Sequence, residues 1–297
     1  MPNHVRNVIH FDMNAPVEAF QAMLEKVITS ERDDGPRFDF NSLIPMPKEL
    51  DIASGSQTDE GMTLVAACER VKALPAPTPV TAVSSEPPAS MAPALREDLT
   101  PATREGPVTS LCWDILAACQ HKGYEANAII NWMKRANLDI NSPSSILEFA
   151  RFGEGKKMYD LGKIAIENEK KYGAPTWYEW CYDHWGTKWN AYECEIDPEK
   201  REISFSTAWS TPDPVVVALS AAFPDVGFQW LYADEDCGAN TGGFISDAGE
   251  LNEYRFNTCS DEAYEVYVAC WGADQCMYKN EDGKWRHYDC DECPHPC

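Results

Sequence analysis

Basic side chains are scarce in this sequence. It holds 25 Lys and Arg against 48 Asp and Glu in 297 residues, a formal net charge of −23 and a pI near 4.5. A surface so charged repels phosphate backbones and anionic membranes, which disfavours nonspecific nucleic-acid binding and favours basic protein partners. Long apolar runs are missing as well. No stretch approaches the length that spans a bilayer, and the opening Met1-Pro2-Asn3-His4 carries no apolar signal core. The expectation is therefore a cytoplasmic chain whose twelve Cys are reduced, most of them scattered singly as small buried hydrophobes. The sequence also lacks a Gly-rich phosphate loop, a His-Glu-x-x-His helix and a Gly-x-Ser-x-Gly elbow, which removes the commonest readable catalytic signatures. Aromatics vanish from residues 71–107, where eight Pro stand among Ala, Ser, Thr and Val. Such a segment cannot pack a core and marks a linker, assigned to residues 61–107.

Elsewhere the chain is rich in what a core needs, with 44% hydrophobic and 11% aromatic residues. Three of its ten Trp and three of its twelve Tyr fall within Tyr178–Tyr192. A run of that kind is either core or contact surface. On each side of it the apolar pattern alternates between the strand and helix periods. Residues 5–12 read as a strand, and Pro16 opens a helix with Phe20, Met23, Leu24 and Val27 on one face. Phe38 and Phe40 alternate like a second strand. Later, Ile203, Phe205, Thr207 and Trp209 alternate, Asp213-Pro214 opens a helix, and Val226, Phe228, Trp230 and Tyr232 alternate again. Strand candidates continue at Leu251–Phe256 and Tyr264–Ala269.

Two strand–helix–strand halves pair as a ferredoxin-like α+β fold, the split β-α-β arrangement of an antiparallel sheet covered by helices. The domains expected are a ferredoxin-like domain from residues 1–60 and 175–256 and a helical insert at 108–174, reached through the linker. A Cys-rich, β-containing C-terminal extension follows at 257–297. The insert shows helix signals at Ser110, at Ala126–Leu138, at Ser142-Pro143 and at Met158–Tyr172.

Three motifs resemble the YubB ferredoxin-like domain proteins: Phe38–Asp51, Trp185–Ala191, and Phe205–Pro212 with the helix and Tyr232–Gly243 loop beyond it. The resemblance covers about residues 1–60 and 175–256. It implies the ferredoxin-like fold, which is a statement of topology and not of an iron–sulfur cluster, and an origin in a plasmid or phage. It brings no established biochemical function.

Four constellations could carry chemistry. In the tail, Cys290, Cys293, His295 and Cys297 offer soft ligands for a structural zinc, with Cys276 and His287 in reserve, although two well-separated ligand pairs are not evident. Between Asp225 and Glu265 there are ten carboxylates and one base, Arg255. Of these, Asp234, Glu235, Asp236, Asp247 and Glu250 are candidates for a surface that mimics phosphates and occupies the basic cleft of a nucleic-acid-handling host protein. Trp185, Lys188 and Trp189 could stack bases, as a single-strand or nucleotide-binding platform does, or could simply be core. Finally, Cys181 and His184 are three apart, as a nucleophile and its base could be on a helix. The functional expectation is a non-enzymatic accessory protein of a mobile element that binds a host protein, with the aromatic platform as the alternative.

Overall fold

The structure, a computed structural model, describes residues 3–29, 35–75, 110–288 and 293–294. Most of the proline-rich stretch, and Cys290, His295 and Cys297 of the tail, lie outside the described residues. The chain divides into two compact units, residues 1–52 with 168–297, and residues 53–167.

The chain begins with strand β1 (His4–Phe11) and helix α1 (Val17–Val27), which starts at Pro16. Two short strands, β2 (Ile28–Thr29) and β3 (Arg37–Phe38), pair with each other in a small sheet of their own. Phe38 and Phe40 therefore do not form the second strand of the main sheet. The Asp39 carboxylate accepts from the Asn41 amide and starts a 3-10 turn over Phe40–Ser42, which ends the strand at Phe38. A second 3-10 turn, Lys48–Leu50, follows Pro47.

The second unit is helical. Its members are α2 (Ser56–Lys72), α3 (Leu111–Ala117), α4 (Glu125–Arg135), α5 (Ser144–Phe149) and the start of α6 (Gly153–Tyr172). Ser110 caps α3 by accepting from the Trp113 amide, as its sequence position suggests. Helix α2 takes up the first part of what composition assigns to the linker. Leu64, Ala67 and Cys68 of α2 pack with Leu116, Ile129, Met133, Ile146 and Phe149 into a core belonging to this unit.

The chain then returns through α7 (Trp177–Trp185) to β4 (Tyr192–Asp197), β5 (Glu202–Ala208), α8 (Asp213–Ala222), β6 (Phe228–Asp234), β7 (Gly242–Asp247) and β8 (Glu250–Arg255). The main sheet runs β4-β5-β1-β6-β7-β8, every neighbouring pair antiparallel. Strands β5 and β6 lie on either side of β1, joined by α8. This is the split β-α-β unit, and β4 supplies the fourth strand of the ferredoxin-like order. Strands β7 and β8 extend the sheet as a meander.

Period-two alternation divides the sheet into two faces. Val5, Ile9 and Phe11 of β1 turn towards α1 and α8, where they join Phe205, Trp230, Met23 and Leu219 in the largest core. Val8 turns the other way. There it meets α9 (Asp261–Trp271), the helix formed by the residues expected as a strand at Tyr264–Ala269. Ser260 caps α9 by accepting from the Ala263 amide, and Asp261 and Glu262 favour its positive N-terminus. Tyr264, Tyr267 and Cys270 recur at helical spacing and are buried against Val8 and Ala233. A short hairpin, β9 (Met277–Lys279) and β10 (Trp285–His287), follows α9 and adds Met277 to the same cluster.

Candidate aromatic cleft

A cleft of about 590 Å³ opens between the segment Arg37–Asp51 and the stretch Trp177–Tyr192. Its two walls are knitted together by side chains. Asn190 Oδ1 accepts from the backbone amides of Phe40 and Ala191, both at 2.9 Å, while Asn190 Nδ2 donates to the Asp39 carboxylate. Trp185 Nε1 donates to the Ile44 carbonyl at 2.9 Å, and its ring meets Phe40 edge-on at 5.8 Å between centroids. Asn41 Oδ1 accepts from the Met46 amide at 3.0 Å. These contacts hold an extended, proline-containing segment that could not enter a sheet.

The return from α7 into the cleft requires Gly186. It ends α7 in the left-handed region at φ 75°, and a Cβ there would stand 2.9 Å from Pro214 Cδ. Thr187 Oγ1 then donates to the Ala208 carbonyl at 2.8 Å, tying this turn to β5.

The three platform residues have different fates. Trp185 is only 3% exposed and belongs to the core, as does Trp180. Trp189 and Lys188 are half-buried at the cleft, with the Lys188 ammonium 4.4 Å from the Trp189 ring centroid and 5.4 Å from that of Tyr178. Tyr192 meets Trp189 edge-on at 6.3 Å. Its hydroxyl donates to the Thr207 carbonyl at 3.1 Å and lies 2.7 Å from His4 Nδ1. Burial, aided by the charges of Glu193 and Glu235, pushes the Tyr192 phenol up to about 12, so it stays neutral and fixed. Arg37, which the sequence did not single out, lines the same cleft. Its Nε is buried and has no hydrogen-bond partner among the described residues. The cleft is lined by polar as well as aromatic side chains, with Asp51 among them, and its two cations stand beside a half-buried indole.

Cys181 and His184 are not brought together as nucleophile and base. Cys181 Sγ faces Met46 Sδ at 4.0 Å, and burial pushes its thiol up to about 12. His184 stacks flat on Trp180 at 4.2 Å, with Nδ1 donating to the Trp180 carbonyl at 3.0 Å. A thiol with so high a pKa holds almost no thiolate at neutral pH.

The candidate carboxylates separate into two groups. Asp234 is buried at the end of β6, where Oδ1 accepts from Asn3 Nδ2 at 3.1 Å and from the Asp236 amide at 3.0 Å. That is a structural role at a strand end. Glu235 and Asp236 are exposed beside it, and Asp236 also accepts from Asn3 at 3.2 Å. Asp247 and Glu250 are exposed across the β7–β8 turn, at the opposite end of β7. Six strand residues, roughly 20 Å, lie between the groups.

Near the C-terminal end, ligand atoms of Asp274, Cys276 and His287 lie within 4.8 Å of one another. Of the four tail ligands expected from sequence, Cys293 is described, and its Sγ stands 3.2 Å from Cys276 Sγ.

Residues 188–271 match the family model described as the ferredoxin-like domain in Api92-like protein. The match runs from the cleft residue Lys188 through α9, less than half of the chain. The fold is thus a ferredoxin-like α+β domain, reached independently from topology and from the family comparison. A solved structure of similar outline is that of a protein Api92 from Yersinia pseudotuberculosis, 10% identical over 86% of this chain and 99% of that one. Its TM-score of 0.32 is too loose a superposition to add to the family match. No curated protein matches the chain. No described helix is long and apolar enough to cross a membrane.

Proposed function

We propose that the protein is a non-enzymatic binding module whose aromatic cleft takes a nucleotide or the unstacked bases of a short single strand. The observation that carries this is the convergence of Trp189, Lys188 and Arg37 on one cleft of about 590 Å³. That volume lies within the range of small-molecule sites. An indole face stacks a base, and guanidinium and ammonium groups pair with phosphate. The net charge of −23 opposes a long polyanion, so the ligand is short. Titrating the full chain with a nucleoside monophosphate and with a short single-stranded oligonucleotide should quench tryptophan fluorescence saturably. Trp189→Ala should weaken binding about tenfold or more, since stacking on an aromatic ring is worth roughly 1–3 kcal/mol per base. Unchanged affinity in the variant would count against the cleft.

The charge supports a second reading, that of an acidic accessory protein from a plasmid or phage, working in the host cytoplasm by occupying a basic, nucleic-acid-handling host protein. Kinship with the YubB proteins belongs to this reading. Exposed Glu235, Asp236, Asp247 and Glu250 are its available carboxylates. Charge reversal at these four positions should abolish capture of a basic partner in the presence of nuclease. Capture that persists after reversal removes phosphate mimicry as the mechanism. A structural zinc in the tail fits either reading, because its role is to hold chain and not to do chemistry.

A further inference from the structure

We propose that Cys276, His287 and Cys293, with Asp274 completing the set, form a structural zinc site that fastens the C-terminal segment to the β9–β10 hairpin. Ligand atoms of Asp274, Cys276 and His287 lie within 4.8 Å of one another, and Cys293 adjoins this group at Cys276. Cys276 directly precedes β9 and His287 ends β10, where it pairs with Met277. The Tyr288 amide donates to the Cys276 carbonyl at 2.9 Å and continues the ladder past the strand ends. Asp274 Oδ1 accepts from the Cys276 amide at 2.7 Å, which orients the carboxylate beside the thiol. Cys293, beyond β10 in sequence, has its Sγ 3.2 Å from Cys276 Sγ.

The donor set is the kind zinc selects, two sulfurs and an imidazole with a carboxylate as the fourth group. Ligand atoms held about 2.0–2.3 Å from a tetrahedral metal are separated from one another by roughly 3.3–3.8 Å. Two sulfurs sharing one zinc stand at the wide end of that range, so the pair, now 3.2 Å apart, opens by about half an ångström when the metal enters; it is already well beyond the ~2.05 Å of a disulfide. The histidine is prepared as a ligand. His287 Nδ1 lies 2.7 Å from the Tyr288 carbonyl. A carbonyl only accepts, so Nδ1 carries the proton and Nε2 keeps the lone pair, the arrangement found behind metal-bound histidines.

A staple is physically useful here. The two strands of this hairpin have three residues each, too few to hold themselves in water. Other ties are an apolar contact through Met277 and ion pairs from Asp261 to Lys284 and Arg286. Zinc binding converts the two thiols to thiolates, with the protons released to solvent, and adds its binding energy to the folding of the segment.

The test uses the full-length chain, purified without a polyhistidine tag or chelating resin. Metal analysis by mass spectrometry should find about one zinc per chain, and cobalt substitution should give the absorption of thiolate ligation. Cys276→Ser and His287→Ala should each lose the metal, while circular dichroism shows the rest of the chain folded. His295→Ala combined with Cys297→Ser should keep it. Chelation should lower Tm, and added zinc should restore it. A metal-free wild-type chain, with or without a Cys276–Cys293 disulfide in a non-reducing peptide map, would overturn the proposal. So would zinc retained in both single variants, or zinc lost on changing His295 and Cys297.

Discussion

Replacing Asn7 with alanine is expected to cost the ferredoxin-like domain about 3 kcal/mol or more, among the largest effects of any single side chain. Asn7 sits at the middle of β1 with no exposed surface. Its Nδ2 donates to the Val5 carbonyl at 3.0 Å and to Thr207 Oγ1 at 2.9 Å. Its Oδ1 accepts from Trp230 Nε1 at 3.0 Å and from Thr211 Oγ1 at 2.9 Å. One side chain thus joins β1, β5, β6 and the entry to α8, the four pieces of the split β-α-β unit. Truncation leaves the Trp230 indole N–H in a dry core without an acceptor, and such a group loses its full hydration energy. The penalty should be partly relieved when that donor is also removed. A double-mutant cycle with Trp230→Phe, followed by denaturant unfolding, should therefore show coupling of about 1–2 kcal/mol. Additive losses would mean that Asn7 acts through something other than this network.

Gly162→Leu should be as damaging to the helical unit, destabilising it by about 3 kcal/mol. Helices α2 and α6 cross at Gly61 and Gly162 with their backbones in contact. A Cβ built on Gly61 would stand 2.8 Å from the Gly162 amide nitrogen, and one built on Gly162 would run into the Gly61 carbonyl. No side-chain adjustment relieves a clash between two main chains, so the helices must separate and open the core around Leu64 and Met158. Hydrogen exchange should show lost protection along α2 and α6. Gly283→Leu serves as a control for the substitution, since that position opens onto space, although its φ of 77° adds local strain. Native-like protection in Gly162→Leu would show that the close crossing is not required.

What the sequence made legible follows from the length and regularity of each signal. β1, β5 and β6 alternate over seven or eight residues, and α1 and α8 each begin at a proline, so their identity and approximate bounds were readable. The second strand of the sheet was misplaced because Phe38 and Phe40 are larger and more conspicuous than its true members. The signal was nevertheless present. Tyr192, Cys194 and Ile196 alternate with Glu193, Glu195 and Asp197; the first three are half-buried, while Glu193 and Glu195 are exposed. In α9, aromatic and β-branched residues suggested a strand. The Ser260 cap, the acidic first turn and the spacing of Tyr264, Tyr267 and Cys270 were the better guide. Helix α2 was harder. Its buried residues include Thr58, Asp59, Glu60 and Thr63 beside Met62 and Leu64, so no clean apolar stripe separates it from the linker.

The candidate site was legible only as a location. Trp189 and Lys188 were visible, but Trp185 looks the same in sequence and turns out to be core. Arg37 gave no signal, because its place in the cleft depends on contacts between residues 150 and 151 apart in the chain, from Asn190 to the Phe40 amide and to the Asp39 carboxylate. The carboxylates illustrate the opposite error. They are dense in sequence, yet β7 carries them to two ends of the sheet.

The most direct measurement is a nitrogen–proton correlation spectrum of the full chain with its indole resonances assigned, recorded as a nucleoside monophosphate is added. The account predicts that the Trp189 indole signal, and that of neighbouring Trp177, shifts saturably, while Trp113 and Trp132 of the helical unit and Trp230 of the sheet core stay in place. Shifts absent at Trp189, or spread evenly over all these indoles, would contradict a nucleotide site in the aromatic cleft.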